Sequence, residues 1–159
     1  MANPTHVELL KHSDMFRGLD EAELSRVTDL GEVASFGAGE VILEEDKRGK
    51  RCFFLLSGRV DIEIRPPFAA QSPQKLATVK RGDVFGELAL VDGFLRSATC
   101  RAVEEVEALA FDNAALEALM EREPRIGFRV MRNIASVLSA RIRTTNMKLR
   151  NALSDVFFY

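Results

Sequence analysis

The residues whose types and spacing are best suited to chemistry lie together in residues 82–99. This segment predicts a short strand that ends before Gly86 and a helical turn that begins at Glu87. A glycine at such a position lets a ligand approach the backbone closely. The first turn of a helix presents unpaired backbone N–H groups, and with the local dipole these groups favour a bound anion. The segment therefore predicts an anion site.

Two charged side chains add to this chemistry. Arg96 lies at the entry to the next predicted strand, and its guanidinium can donate two parallel hydrogen bonds to one anion. Ser97 adds a hydroxyl group, and Ala98 leaves its backbone N–H open. The carboxylate of Glu87 has the opposite property, because it accepts hydrogen bonds from hydroxyl groups and repels phosphate. A ribose phosphate carries both groups and matches the pair. The alternative, an internal ion pair between Glu87 and Arg96, remains open at this point.

The composition narrows the classes of protein to consider. The chain has 159 residues, of which 47% are hydrophobic and 29% charged, the size and balance of one globular domain. Its net charge of −2 argues against a domain whose main task is to bind nucleic-acid backbones. The sequence has no apolar run of membrane-spanning length and no secretory signal pattern, so we expect a cytoplasmic protein.

Few side chains are available for catalysis. His6 and His12 are the only histidines, and both precede the predicted strands, which leaves almost nothing for a histidine-dependent site. Cys52 and Cys100 lack the spacing of metal ligands and are expected to be buried thiols. We therefore expect no enzymatic activity, no metal and no cofactor.

The elements that must position the segment follow from periodicity. Residues 1–30 predict two short helices, the second with Asp20 as its cap and Glu23 three residues further on. Residues 31–112 alternate short β-prone runs with glycine-containing turns, which favours an antiparallel sandwich or barrel of jelly-roll type. Residues 113–156 predict two helices.

The last helix carries a coiled-coil pattern. Its seam residues are spaced alternately four and three apart, as in a helix that pairs with a second copy. A helix of some thirty residues would span ~45 Å at 1.5 Å per residue and overrun a small barrel. We therefore expect a homodimer through this helix; the alternative is a helix that packs on its own barrel. The seam consists of Leu138, Ile142, Thr145, Leu149, Ala152 and Val156.

Residues 85–90, followed by residues 96–99, closely resemble the phosphate-binding cassette of cyclic nucleotide-binding domains. Residues 16–19, 36–42 and 53–60 resemble that family's N-terminal helical lead-in, its early strands and the hairpin beneath its pocket. The resemblance covers most of the chain and implies a single domain over all 159 residues. The implied fold is mainly β with flanking α.

In detail, the resemblance implies an eight-stranded antiparallel jelly-roll barrel over residues 31–112, with the cassette at residues 82–102. N-terminal helices would precede the barrel, a short helix would lie in the cassette, and two C-terminal helices would follow over residues 113–156.

The resemblance also implies roles for individual residues. Glu87 would hold the ribose 2′-hydroxyl and Arg96 the cyclic phosphate. Gly49 matches a turn glycine that faces the sugar, whereas Asp46 replaces a second glycine that is common in the family. The phosphate would be lined by the backbone or small side chains of Gly86, Leu88, Ala89, Ser97 and Ala98.

Two expectations concern the surroundings of this site. In the empty protein we expect Arg96 to be largely hydrated, so that it contributes little to stability. We interpret a run of basic residues beside the turn as a solvated loop. The run consists of Lys47, Arg48, Lys50 and Arg51.

Residues 141–149 resemble the helical stretch that closes over the base in bacterial members of the family. Thr145 would reach the base from the same subunit and Asn146 from the partner subunit. Both side chains suit an adenine amine, so the ligand expected is cAMP in preference to cGMP.

The leading interpretation is therefore a non-catalytic sensor module that binds a cyclic nucleotide and repositions its C-terminal helix. A separate effector protein or domain would receive the signal. The alternative is an interaction or dimerisation module that has the same fold and binds no nucleotide. We expect no direct DNA binding, because too few residues follow Val156 for a helix-turn-helix. A cupin-like enzyme would need histidines inside the barrel.

Overall fold

The computed structural model describes residues 3–66, 72–93 and 95–157, with side chains described as far as Ser154. The described part contains five helices and eight strands. The helices are α1 (Pro4–Lys11), α2 (Glu21–Thr28), α3 (Leu88–Asp92), α4 (Asn113–Arg122) and α5 (Pro124–Phe157). The strands are β1 (Gly31–Phe36), β2 (Val41–Leu43), β3 (Arg51–Ser57), β4 (Val60–Ile64), β5 (Gln74–Val79), β6 (Val84–Phe85), β7 (Thr99–Ala102) and β8 (Val106–Asp112).

The strands form two four-stranded antiparallel sheets. The strand orders are β1-β8-β3-β6 and β2-β7-β4-β5. Mainly β architecture with flanking helices is thus confirmed, and the two-sheet arrangement is consistent with a jelly roll. The expected closure into one barrel is not seen: no ladder of hydrogen bonds joins the two sheets among the described strands. The short β6, with 2 residues, pairs with β3 alone and leaves that edge unextended.

Strand β3 lies at the centre of the fold because both of its faces are buried. Cys52, Phe54 and Leu56 pack toward the helices, whereas Phe53 and Leu55 pack between the sheets. This follows from the alternation of side chains along a strand. One element therefore supports two cores, and its first residues lie next to the cassette.

The helix α2 begins as the sequence predicts. The Asp20 side chain accepts a hydrogen bond from the Glu23 backbone N–H at 2.9 Å, and the Glu23 side chain accepts one from the Asp20 backbone at 2.8 Å. This reciprocal capping satisfies two N–H groups that the helix itself leaves unpaired. The capping box is confirmed.

The long helix α5 changes character along its 34 residues. Near its start Ile126, Val130 and Ile134 are buried in the core with α2 and α4. Further along, Ile142 is 60% exposed and Leu149 56% exposed. The predicted seam is thus solvent-facing from Ile142 to Ala152, whereas Leu138 packs partly against the core and the side chain of Val156 lies outside the described residues. None of the helices in the described part of the chain is long and apolar enough to cross a membrane.

A buried asparagine of this helix, Asn133, is hydrogen bonded to the segment between α1 and α2. The side-chain amide of Asn133 donates to the backbone carbonyls of Met15 at 3.0 Å and Arg17 at 2.8 Å. Because both of its N–H groups are paired, the buried amide does not oppose folding. The first half of α5 therefore belongs to the body of the protein.

Candidate functional site

Strand β6 and helix α3 place the predicted cassette at one end of the first sheet. Between them Gly86 has φ +75°, a left-handed conformation that glycine adopts without strain. Glu87 then occupies the N-cap of α3 but makes no side-chain capping bond, so its carboxylate is available for other partners. Since α3 has only 5 residues, its dipole is small. The principal positive charge for an anion must come from a side chain.

Arg96 supplies that charge from a buried position. It is 6% exposed, and its two terminal nitrogens donate to the backbone carbonyls of Gly86 at 2.8 Å and Arg51 at 2.6 Å. Its Nε is buried and has no hydrogen-bond partner within the described residues. Burial lowers the pKa of this guanidinium. The expectation that Arg96 is largely hydrated in the empty protein is therefore wrong.

A loop, residues 46–50, is held against Arg96; we call it the rim loop. The backbone N–H of Asp46 donates to the Arg96 carbonyl, and the Arg96 N–H donates to the Lys47 carbonyl, both at 2.9 Å. A Cβ added at Gly49 would overlap the Arg96 guanidinium, so only glycine fits there without a shift. Asp46 takes φ +65°, a conformation that Asp tolerates better than most residues. The Asp therefore preserves the turn in which a glycine was expected.

Glu87 has a partner from the C-terminal helix. It is 7% exposed, and its Oε1 accepts a hydrogen bond from Nη1 of Arg141 at 2.6 Å. No hydrogen bond or ion pair joins Glu87 to Arg96 in the described part of the chain. The internal pair considered as an alternative is thus not formed. The site instead holds a carboxylate and a guanidinium side by side, each with its own protein partner.

A family comparison agrees with this geometry. Residues 33–123 match the family described as cyclic nucleotide-binding domain. The chain belongs to this family. The resemblance that the cassette carries is confirmed, and the matched range includes both sheets of the domain except for the first residues of β1.

Two curated relatives and one solved structure are regulators. A CRP-like cAMP-activated global transcriptional regulator of Mycobacterium tuberculosis is 28% identical over 95% of this chain and 63% of its own length. A cAMP-dependent protein kinase regulatory subunit of Mycosarcoma maydis is 30% identical over 82% of this chain and 23% of its own length. The Thermus thermophilus catabolite activator protein is 28% identical, with a TM-score of 0.75, over 86% of this chain and 62% of that one. This cyclic nucleotide-binding domain thus spans less than two thirds of each relative.

The predicted site residues of the domain fall into two groups. The first group is the cassette, whose residues differ in exposure. Ala89 is buried, Ser97 is exposed, and Ala98 is half-buried. Thr145 and Asn146 lie one turn beyond Arg141 on α5, are exposed, and make no side-chain hydrogen bond to the cassette within the described residues. The remaining cassette residues, Gly86 and Leu88, are half-buried.

Arg141 is the site residue that the sequence analysis did not assign. It lies 54 positions from Glu87, and no local spacing connects the two. The available signal was its helical register, since Arg141 precedes Thr145 by one turn and shares its face of the helix. Because α5 contains several other arginines, the sequence does not distinguish Arg141 from them.

The two thiols of the domain flank the site but are not reactive. Burial, together with the nearby charge of Glu87, raises the pKa of Cys52 and of Cys100 to about 12. Because the thiolate is the nucleophile, neither residue is suited to covalent chemistry at neutral pH. Both behave as small core residues.

Proposed function

We propose that this domain is a non-catalytic sensor that binds a cyclic nucleotide, with cAMP preferred to cGMP, at the site formed by Glu87 and Arg96. The observation that carries the proposal is the buried Nε of Arg96, which has no hydrogen-bond partner among the described residues and lies next to two carbonyl contacts of the same side chain. A buried donor without an acceptor is costly unless a ligand supplies one. An anionic phosphate oxygen is the acceptor that suits a guanidinium best.

The sugar would be held on the other side of the site. Glu87 keeps its carboxylate free of helix capping, and one oxygen is already engaged by Arg141. A carboxylate has room for further donors, so the ribose 2′-hydroxyl can donate to it while Arg141 stays in place. The phosphate would be lined by Gly86, Leu88, Ala89, Ser97 and Ala98.

The base would contact the C-terminal helix. Thr145 would reach it from the same subunit and Asn146 from the partner subunit, in a homodimer formed through α5. Their exposure in the single chain agrees with a contact completed by ligand and partner. Both can pair with an adenine amine, which is the basis of the proposed preference for cAMP.

Arg141 provides a route from the site to α5. A ligand that engages Glu87 adds a second donor to the carboxylate that Arg141 contacts, and so changes the strength of the contact that holds the helix. The ligand then shifts the equilibrium between different arrangements of α5 only to the extent that its affinities for those arrangements differ. The signal would pass to a separate effector protein or domain in the cytoplasm, and residues 1–159 would act as one sensor domain.

Calorimetric titration of the protein with cAMP and cGMP side by side tests this proposal. We expect a dissociation constant for cAMP in the micromolar range or tighter, a weaker one for cGMP, and none measurable for 5′-AMP, which lacks the cyclic phosphate. Saturating cAMP should also raise the melting temperature, because ligand at a hundredfold excess over Kd stabilises the folded state by ~2.7 kcal/mol.

The competing function is an interaction or dimerisation module that binds no nucleotide. An absence of heat together with an unchanged melting temperature at millimolar cAMP and cGMP would favour it. Glu87→Gln serves as the matched site variant, since it keeps the size of the side chain but weakens its acceptance of the ribose hydroxyl.

A further inference from the structure

The rim loop carries cations that the structure leaves without partners. Lys47, Arg48 and Lys50 are exposed, and none forms an ion pair within the described residues. Arg65 contacts the carboxylates of Glu45 and Asp46, each at 3.5 Å, and its single charge offsets one of the two. The exposed carboxylate of Glu44, just before the loop, forms no ion pair within the described residues. The three loop cations and Arg65 therefore exceed these three carboxylates by one positive charge.

This loop is fixed beside the buried charge of the site. Its backbone is hydrogen bonded to Arg96 at both Asp46 and Lys47, and Gly49 packs directly on the guanidinium. The Lys50 carbonyl accepts a hydrogen bond from the Asn113 backbone at 2.8 Å, which joins the loop to the start of α4. The loop is therefore held in place beside the proposed site by backbone hydrogen bonds rather than being a free surface segment.

The charge of the rim contrasts with that of the whole chain. The protein carries a net charge of −2 and would repel an anionic nucleotide at long range. Arg96 is 6% exposed and is placed to hold a ligand that has already reached the site. A cluster of exposed cations beside the site can offset the long-range repulsion, because a local charged patch focuses the field that an approaching ligand experiences.

We infer that the rim loop is an electrostatic capture surface that speeds the entry of anionic nucleotides into the pocket. The inference rests on the proposed function and deepens it, because it assigns a role to Lys47, Arg48 and Lys50. These cations act on the encounter and contribute little to the bound complex. Exposed charges in water add little binding energy, and their attraction is screened beyond about 8 Å at physiological ionic strength.

Stopped-flow binding of a fluorescent cAMP analogue at several salt concentrations tests the inference. The rim variant is Lys47→Gln/Arg48→Gln/Lys50→Gln. A matched control, Lys80→Gln/Arg81→Gln/Arg122→Gln, removes the same charge from three cations that also lack ion pairs among the described residues. Lys80 and Arg81 lie in the turn between β5 and β6, and Arg122 ends α4. All six side chains are exposed, and melting of the ligand-free variants checks that they fold.

We expect the association rate constant of the rim variant to fall by about 5- to 10-fold at roughly 20 mM salt, and by less than about twofold at 0.5 M. The control should retain the wild-type rate within about twofold, and dissociation rates should be alike in all three proteins. Equal association rates for the rim variant and the control would overturn the inference. So would a faster dissociation with an unchanged association rate.

These failures are distinct from failure of the proposed function. If wild-type protein shows no calorimetric heat with any nucleotide, the sensor itself is refuted and the inference with it. If wild type binds cAMP but the rim variant associates as fast as the control, the inference alone is refuted.

Discussion

Arg96 combines two roles that the sequence presents as alternatives. In the proposed site its buried Nε, which has no partner among the described residues, would donate to an anion. As a structural residue it joins the carbonyls of Gly86 and Arg51, and so connects the cassette to the start of β3. A guanidinium can do both because it has five N–H donors in a fixed plane.

Arg96→Ala should therefore weaken both binding and folding. Truncation of one partner in a buried charge pair typically costs about 2–5 kcal/mol, so cAMP affinity should fall roughly 30- to 5,000-fold. Two carbonyls also lose their donors, which should lower the free energy of unfolding by about 1–3 kcal/mol. Calorimetry and urea unfolding on the same variant measure the two effects.

Arg96→Lys is the control for charge, because Lys keeps the positive charge but lacks the planar fork. We expect intermediate losses in both measurements. An Arg96→Ala variant that binds cAMP as wild type does would refute the phosphate role, whatever its stability.

The thiols predict a pH dependence at the same scale. Since the folded pKa of Cys52 and Cys100 is raised from 9.0 to about 12, the folded state retains protons that the unfolded state releases above pH 9. Their contribution is complete below pH 9 and is lost as the pH rises toward about 12. The loss is at most about 1.4 kcal/mol per thiol for each pH unit in that window.

Urea unfolding at pH 7 and at about pH 10.5 measures this effect. Wild type should lose more stability between the two values than Cys52→Ala/Cys100→Ala, which lacks both thiols. An equal loss in the two proteins would show that other groups govern the alkaline range.

At the scale of elements, Gly49 allows the rim loop to pack on Arg96, which in turn contacts the start of β3. Gly49→Ala should displace the Arg96 guanidinium from its carbonyl contacts, because the added methyl group would occupy the same space. We expect cAMP affinity to fall at least about tenfold, corresponding to 1.4 kcal/mol or more. Titration calorimetry provides the measurement.

Gly37→Ala is the matched control for that substitution. A Cβ there would find its nearest atom, an oxygen of Glu40, at an ordinary 3.9 Å. Its nucleotide affinity should equal that of wild type. Equal affinities for all three proteins would mean that the loop does not confine Arg96.

The elements also show where sequence reasoning succeeds. The capping box of α2 and the strand–glycine–helix order of the cassette depend on neighbours in the chain, and both were predictable. The Arg141–Glu87 contact joins residues 54 positions apart, so it depends on the tertiary packing of α5 and not on neighbours in the chain. The partners of Arg96 are backbone carbonyls, which every residue has, so side-chain types carry no signal for its burial. Closure of the sheets depends on edge pairing, which strand patterns do not specify.

At the scale of the whole molecule, the exposed apolar residues of α5 are the basis of the proposed homodimer. A monomer rarely leaves a long apolar seam in water, and closed two-fold pairing is the commonest solution. We expect Leu149→Glu to yield a monomer in sedimentation at micromolar concentration, because it places a charge in the 4-3 seam of a parallel dimer.

Met147→Glu is the matched control, since Met147 is also 56% exposed but lies outside the seam. It should remain dimeric. A monomeric wild type would refute the dimer and remove the proposed role of Asn146 in the partner subunit. Dissociation by both substitutions would place the interface on a different face of the helix.

The contact between Arg141 and Glu87 also has a mechanical consequence. Among the described residues it is the last hydrogen bond or ion pair that joins α5 to the rest of the chain. Beyond it the helix continues for roughly 24 Å at 1.5 Å per residue. A tilt of roughly 10° about Arg141 would move the far end by about 4 Å, about three quarters of the 5.4 Å pitch of a helical turn. In the proposed sensor, the helix would thereby amplify a rearrangement at one carboxylate oxygen into a displacement large enough to change its packing against an effector.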